Sequence, residues 1–292
     1  MMDGELAQRV FELKEPNAPR LPLVVASPHS GSCYPADFLA ASRLDPFALR
    51  RSEDSFVDEL FAAAPDLGAP LLSARFPRAY LDVNREAWEL DPAMFAEPLP
   101  RFVNAGSPRV RMGLGTIARI VASDAEIYAG KLSFAEACRR IEHLYHPYHR
   151  ILCRLIAETE VVFGGCLLVD CHSMPSAQIP GGCRPADIVL GDCHGAACAG
   201  SILEAARRFF AGRGFSVTVN APYAGGFTTG HYGRPNRHRH ALQIEINRAL
   251  YMDETSYRRK PGFARLAADL GDVLRRLAAA VEACLPQHRP GD

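Results

Sequence analysis

The chain has 292 residues, and 33 Lys plus Arg balance 33 Asp plus Glu, so the formal net charge is zero. That balance, without any block of like charge, excludes electrostatic capture of nucleic acid or of an anionic membrane surface as an organising theme. The apolar stretches fall far short of the roughly 20 residues that a membrane span needs. The opening Met1-Met2-Asp3-Gly4-Glu5 lacks a basic region followed by an apolar one, so no signal peptide is expected. Nine cysteines, scattered without Cys-x-x-Cys spacing, read as reduced and mostly buried in a chain of this length. A cytoplasmic globular protein with one sizeable core is expected.

In chain order, residues 21–27 read as a strand. Residues 54–64 read as an amphipathic helix, with apolar side chains at 56, 57, 60, 61 and 64. Short strands are expected at 69–73 and 79–83, then a long Pro-, Gly- and Asn-rich loop over 86–115. Ser123 is a candidate helix cap, but the strong helical pattern starts at Ser133 and runs to about 159, with Pro147 as a kink. Strands follow at 166–170 and 188–192, a helix near 195–212, a strand at 217–220 and a glycine-rich loop at 224–233. A strand at 242–246 and a helix over 262–284 complete the pattern. Strands alternating with helices predict an α/β fold with a mostly parallel or mixed sheet, and no linker divides the chain.

Two histidines stand in nearly the same setting. His29 ends the run Leu23-Val24-Val25-Ala26-Ser27-Pro28, and His172 ends Leu167-Leu168-Val169-Asp170-Cys171. Short apolar runs of this kind read as strands buried on both faces. A polar side chain at the carboxyl end of such a strand sits where open α/β sheets place their binding crevice. Two imidazoles delivered in this way suggest one metal ion, and a hydrolytic site needs about three protein ligands and an open position. The third ligand is expected to be a carboxylate or a third histidine; Glu53 and Asp54 are candidates, although acids at a helix start also serve as caps. Asp170, two residues before His172, shares its face of the strand. It is either a second acceptor that orients the imidazole or a ligand itself. Glu245 interrupts the apolar strand Leu242–Ile246. A carboxylate there is costly to bury unless it is paired or performs a function, and burial suits it to act as a general base.

Arg85, after Asn84, has the fork that fits a substrate carboxylate, the alternative being a salt bridge to Asp82 or Glu86. Arg119 is the candidate for polarising a scissile carbonyl. The loop 224–233 lacks phosphate-loop spacing, and His231 and His240 within or after it are pocket or structural residues. His143, His146 and His149 lie three apart on a helix that Pro147 disturbs, a weaker metal signal than the strand-end pair. Cys33 and Cys171 lie near the two histidines, but neighbours along a strand point to opposite faces, which disfavours a cysteine nucleophile there.

These motifs occur in a recognisable order. Ser27-Pro28-His29-Ser30-Gly31 with Tyr34-Pro35, Glu53-Asp54 with Val57–Leu60, Leu81-Asp82-Val83-Asn84-Arg85, Asp170-Cys171-His172-Ser173, Gly225-Gly226 with Thr229 and His231-Tyr232-Gly233, and His240–Glu245 with Tyr251-Met252 together resemble the N-formylglutamate amidohydrolase family over about residues 20–255. The resemblance implies a single catalytic domain over 1–292, with a mixed central sheet flanked by helices in the manner of the zinc carboxypeptidases (a phosphorylase/hydrolase-like fold). It implies hydrolysis of N-formyl-L-glutamate to formate and L-glutamate, the last step of one histidine-degradation route. It assigns one zinc ion, with other divalent metals as alternatives, to His29, Asp54 and His172. Glu245 is similar to the carboxypeptidase glutamate that activates water. Asn84-Arg85 resembles the pair that grips a substrate carboxylate, and Arg119 the carbonyl-polarising arginine. One departure is that Ser32, not Glu, follows His29 at H-x-x-E spacing, so the carboxylate ligand must come from later in the chain. The expected partner is a small N-acyl amino acid, with neither nucleic acid nor membrane. The rival readings are a zinc hydrolase of another N-acyl amino acid or short peptide, and a non-catalytic metal- or amino-acid-binding protein.

Overall fold

The computed structural model describes residues 10–121, 125–176 and 185–285, so the cap expected at Ser123 lies outside the described residues. Seven strands, β1 (Phe11–Lys14), β2 (Leu23–Ser27), β3 (Leu71–Ala74), β4 (Cys166–Met174), β5 (Ile188–Gly191), β6 (Val217–Val219) and β7 (Arg239–Asn247), line up in the order β1-β3-β2-β4-β7-β5-β6. β4 runs parallel to both β2 and β7, whereas β5 is antiparallel to β7 and parallel to β6. The sheet is therefore mixed, as the alternation of elements predicts. The chain divides into two compact units, one of Met1–Leu13, Pro28–Ser55 and Leu72–Leu152, the other of Lys14–Ser27, Phe56–Leu71 and Cys153–Asp292.

In the second unit the period-2 alternation of strand side chains sorts the sequence into a core face and a polar face. Leu23, Val25, Leu167, Val169, Cys171, Leu242, Ile244 and Ile246 all belong to one apolar cluster. Against that face pack α3 (Gly200–Gly212) through Ile202, Ala206 and Phe210, and α5 (Phe263–Glu282) through Leu266, Leu270, Val273, Leu274 and Leu277. The 3.6-residue spacing of the α5 positions builds one continuous apolar stripe. The residues between them in sequence, Asp170, His172, Gln243 and Glu245, consequently fall on the opposite face.

β4 is nine residues long, not the five expected, and carries His172 inside the ladder rather than beyond its end. β7 likewise extends over nine residues. Polar residues at alternate positions hide these strands from a reading based on apolar runs alone. The glycine-rich loop also differs from expectation, because residues Phe227–Tyr232 form a short helix, α4.

The helical pattern after Ser133 resolves into α1 (Phe134–Arg140), a five-residue π turn at Ile141–Tyr145, and α2 (His146–Phe163). Ser133 caps α1 by accepting from the Glu136 N–H. Pro147 has no N–H and crowds the carbonyl four residues back, and the wider turn immediately before it relieves that conflict. The extra residue aligns Arg140, Tyr145 and His149 on one side. Arg140 Nη1 donates to Tyr80 O (3.0 Å), Tyr145 Oη to Arg85 O (2.7 Å), and His149 Nε2 to Val83 O (2.9 Å). The Arg140 guanidinium lies 4.0 Å from the Tyr80 ring centroid and donates to Tyr128 Oη at 2.7 Å.

These contacts explain why 79–83 is not the strand its composition suggests. Tyr80 N–H turns back to Pro77 O, Asp82 N–H goes to Thr116 O, and helix side chains take up the carbonyls. With those groups satisfied by side chains and turns, no sheet ladder is required. The helix expected over 54–64 is also absent. Two short helices, Val57–Leu60 and Ala64–Leu67, stand there instead. Phe56 sits in the left-handed region at φ 67°, and Pro65 starts the second helix. Ahead of them Asp54 is held in non-helical chain, its N–H bonded to His29 O at 3.0 Å.

Candidate metal centre and active site

His29 follows β2 in the turn Pro28-His29-Ser30-Gly31, and it is buried. A Cβ at Gly31 would collide with the Phe76 carbonyl oxygen, so only glycine lets this turn cross the chain leaving β3. His29 Nε2 donates to Asp82 Oδ1 at 2.8 Å, which leaves Nδ1 as the acceptor nitrogen. Nδ1 faces Asp54 Oδ2 at 3.4 Å.

Asp82 is itself clamped. Its Oδ2 lies 2.9 Å from Arg78 Nε and 3.3 Å from Arg85 Nη2, and its Oδ1 accepts the Asn84 N–H at 2.8 Å. Burial by itself would raise the Asp82 carboxyl, but the two guanidiniums and the His29 bond outweigh it and hold it well below the usual carboxylate range. Asp82 therefore presents a fixed negative charge to His29. Sequence reasoning placed it in a strand and weighed it only as an ion-pair partner of Arg85, a pairing that the structure contains; its hold on His29 was not anticipated.

The acids 53 and 54 separate cleanly. Glu53 accepts from Tyr34 Oη (2.6 Å), Ser55 Oγ (2.7 Å) and Arg50 Nε (3.1 Å). Its carboxylate is thus committed to a local network, whereas Asp54 faces His29.

On the polar face of the sheet, β4 and β7 are in register at Asp170↔Gln243 and His172↔Glu245. His172 Nε2 donates to Asp170 Oδ1 at 2.9 Å, again leaving Nδ1 as the acceptor nitrogen. Asp170 Oδ2 accepts from Thr229 Oγ1 of α4 at 3.0 Å. One strand over, Gln243 Nε2 donates to Glu245 Oε1 at 2.9 Å. Parallel pairing sets partner side chains side by side, so Glu245 stands next to His172. The intervening Cys171 points into the core, and burial followed by the Asp170 charge pushes its thiol well up, which keeps it protonated. A nucleophilic thiolate at that position is therefore not supported.

His29, Asp54 and His172 each offer one ligand atom, these atoms lie within 4.8 Å of one another, and all three residues are buried. The donor set fits a metal ion on three grounds. Two imidazoles and a carboxylate suit several divalent ions, zinc among them. Each imidazole gives its second nitrogen to a carboxylate, the arrangement that fixes metal-binding histidines. Finally, His29 Nδ1 and Asp54 Oδ2 are two acceptors facing each other at 3.4 Å. A shared cation relieves that contact, and ligand atoms ~2.1 Å from one ion at tetrahedral angles stand ~3.4 Å apart.

Of the arginines, Arg85 is buried, and besides Asp82 it donates to Leu114 O (2.8 Å) and Asn84 O (2.7 Å). Burial lowers its pKa to about 10 against the pull of Asp82. Arg119 is 35 % exposed, bonds Asp91 Oδ2 at 3.0 Å and lies 3.7 Å from Glu126 Oε1. It lines a surface cavity with Arg43, Met94, Tyr128 and Lys131. His231 stacks on Phe227, with centroids 4.8 Å apart, and His240 Nδ1 accepts from the Ala199 N–H at 3.4 Å.

The chain is 31% identical over 244 residues to an N-formylglutamate deformylase of Pseudomonas putida, covering 81% of this chain and 84% of that protein. It is 32% identical over 244 residues to the N-formylglutamate deformylase of Pseudomonas aeruginosa, covering 80% and 84%. The crystal structure of an N-formylglutamate amidohydrolase from Ralstonia eutropha superposes with a TM-score of 0.87 at 39% identity, over 94% of this chain and 99% of that one. A gene product of Agrobacterium tumefaciens shares the fold at 20% identity, with a TM-score of 0.63 over 94% and 96% of the two chains. The model of the N-formylglutamate amidohydrolase family matches residues 21–252, and the chain belongs to that family.

Proposed function

We infer that this chain is a metal-dependent amidohydrolase, acting as one catalytic domain over residues 1–292, that converts N-formyl-L-glutamate and water to formate and L-glutamate. The observation that carries the reading is the convergence of His29, Asp54 and His172 with Glu245 in register beside His172. The activity named for the two Pseudomonas relatives supports the substrate. The same reading places the enzyme in the cytoplasm, at the last step of one histidine-degradation route.

A divalent ion bound by the three ligands, zinc in our reading, would supply Lewis acidity, lowering the pKa of bound water and polarising the formyl carbonyl. The chain's own residues do the rest. Asp82 and Asp170 keep the two imidazoles in the tautomer that presents Nδ1. Glu245 takes the proton from the attacking water as the oxygen bonds to the formyl carbon. It then returns that proton to the nitrogen as the C–N bond breaks, so formate and the free amine leave with protons conserved. Gln243 holds Oε1 of Glu245 and thereby aims Oε2. We assign the grip on a glutamate carboxylate to Asn84 and Arg85. Since the Arg85 nitrogens already contact Asp82, Asn84 and Leu114, the substrate must share that guanidinium. Arg119 is assigned to the carbonyl oxygen, a duty that requires it to exchange Asp91 for substrate.

The test is formate release by metal-loaded protein from N-formylglutamate, compared with N-formylmethionine and N-acetylglutamate, alongside metal analysis. Release from N-formylglutamate alone, lost on chelation and restored by zinc, is expected. Turnover that survives complete metal removal would overturn the mechanism, and equal turnover of N-formylmethionine would overturn the substrate.

A further inference from the structure

The two imidazoles are steadied by carboxylates of different kinds. Asp82 is locked by two guanidiniums and a backbone N–H. Asp170 is locked by a neutral hydroxyl, that of Thr229, delivered from α4. Resting on the metal-site reading above, we propose that Thr229 is a positioning residue of the metal centre: its hydroxyl fixes Asp170, and Asp170 fixes the ring of His172.

The local chain is built to deliver that hydroxyl. Thr229 and Asp170 both have no solvent exposure. A Cβ on Gly191 would come within 2.7 Å of Ala224 C and Gly225 N, so glycine on β5 lets the loop descend onto the sheet. Gly225 adopts φ 127°, and a Cβ there would meet Cys193 Sγ at 2.7 Å and Thr229 Cβ at 3.3 Å. Both glycines thus remove side-chain bulk where the loop reaches the strands, and α4 begins two residues later. In register, Gly191 pairs with Gln243 and Gln243 with Asp170, so the loop meets the sheet at the level of the carboxylate it holds.

The chemistry follows from the bonds. An aspartate's terminal torsion is soft, so a carboxylate held at one oxygen can swing. Held at both, with Thr229 on Oδ2 and His172 Nε2 on Oδ1, it sets the imidazole plane and keeps the proton on Nε2. The Nδ1 lone pair then stays aimed at the ion. A direct partner of a ligating imidazole, as Asp170 is of His172, is worth about 10- to 100-fold in metal affinity, and Thr229, which acts through Asp170, falls at the lower end of that range. The glycine-rich segment, which carries no phosphate-loop spacing, is in this light a buttress for a metal ligand rather than a ligand-binding loop.

The experiment is a zinc-affinity measurement on the full-length protein, stripped by chelator and titrated with Zn2+ against a chromophoric competitor. Thr229→Val keeps the shape and removes the donor; Thr229→Ser keeps the donor. The expectation is a zinc Kd weakened at least about tenfold in Thr229→Val and within about threefold of wild type in Thr229→Ser. Thermal midpoints of the metal-free proteins are measured in parallel, because a purely structural role would lower the midpoint without moving the affinity. If Thr229→Val does not fold, Thr229→Ala removes the same hydroxyl without the added methyl packing and carries the same expectation. A Thr229→Val protein with wild-type zinc affinity, or a Thr229→Ser protein as weak as Thr229→Val, overturns the proposal while leaving the metal site intact. A wild-type protein that binds no zinc, equal in this to His172→Ala, overturns both.

Discussion

At the scale of single residues, the site separates groups that act from groups that hold. Glu245 acts. Its neighbour Gln243 and its register partner His172 place it on the polar face while Ile244 and Ile246 anchor the same strand in the core. Glu245→Gln removes the basic oxygen at nearly constant volume. Zinc binding should persist in that variant while kcat falls about 10²- to 10⁴-fold, the usual worth of a positioned acid–base group. Kinetics and metal analysis of one preparation check both halves. Asp82 holds. Asp82→Asn removes the carboxylate charge beside Arg78 and the buried Arg85 and weakens the acceptor on His29. A 10- to 100-fold loss of zinc affinity is expected by competition titration. The candidate site was readable in sequence where residue type and abrupt context coincide, at His29, His172 and Glu245. Local chemistry could not rank Asp54 and Glu53, because adjacent acids carry the same chemistry, and only the family resemblance favoured Asp54. Tyr34, Arg50 and Ser55, up to 19 residues away, decide between them by claiming Glu53.

At the scale of elements, the site depends on segments that are not regular structure. The turn after β2 brings His29 to Asp54 only because Gly31 has no side chain where it meets the Phe76 carbonyl. Gly31→Ala must therefore move backbone, and the His29 turn has to give way. A lower thermal midpoint together with weaker zinc binding is expected; unchanged values of both by calorimetry and titration would show that the turn tolerates the methyl. The π turn at Ile141–Tyr145 has a comparable role, since it rotates Tyr145 and His149 into line with Arg140 to seize the carbonyls of residues 80–85. Periodicity alone marks such a segment as one kinked helix. A single inserted residue leaves apolar spacing almost unchanged yet changes which side chains share a face. The three-histidine run forms no metal-ligating group among the described residues, where the group found is His29, Asp54 and His172.

At the scale of the molecule, thiol burial sets a pH limit. The eight described cysteines are all free; Cys33 and Cys153 are exposed, while Cys166, Cys171 and Cys198 are buried. Burial pushes the Cys166 thiol from 9.0 to about 12, with Glu160 adding to the rise, and pushes Cys171 and Cys198 up as well. A pKa raised on folding means that the unfolded chain loses its protons first. Stability is therefore full below about pH 9 and drains away as pH rises from there toward 12. Denaturant titrations at stepped pH should show that decline. Thiol reagents at pH 8 should modify Cys33 and Cys153 and spare the three buried cysteines until the chain unfolds. Among the described residues no helix is long and apolar enough to cross a membrane.

The α/β class, most strand and helix positions, and the two histidines with their candidate base follow from local order alone, because side-chain period and abrupt polar interruptions are properties of short windows. What the tertiary structure decided is everything that depends on register and on distant partners. It set Glu245 beside His172, 73 residues apart in the chain. It made Asp82 the support of the His29 imidazole, brought Thr229 to Asp170, and tied Glu53 into a local network while Asp54 faces His29. Those outcomes rest on hydrogen bonds between groups that sequence spacing does not bring together, and only a folded chain holds them at bonding distance.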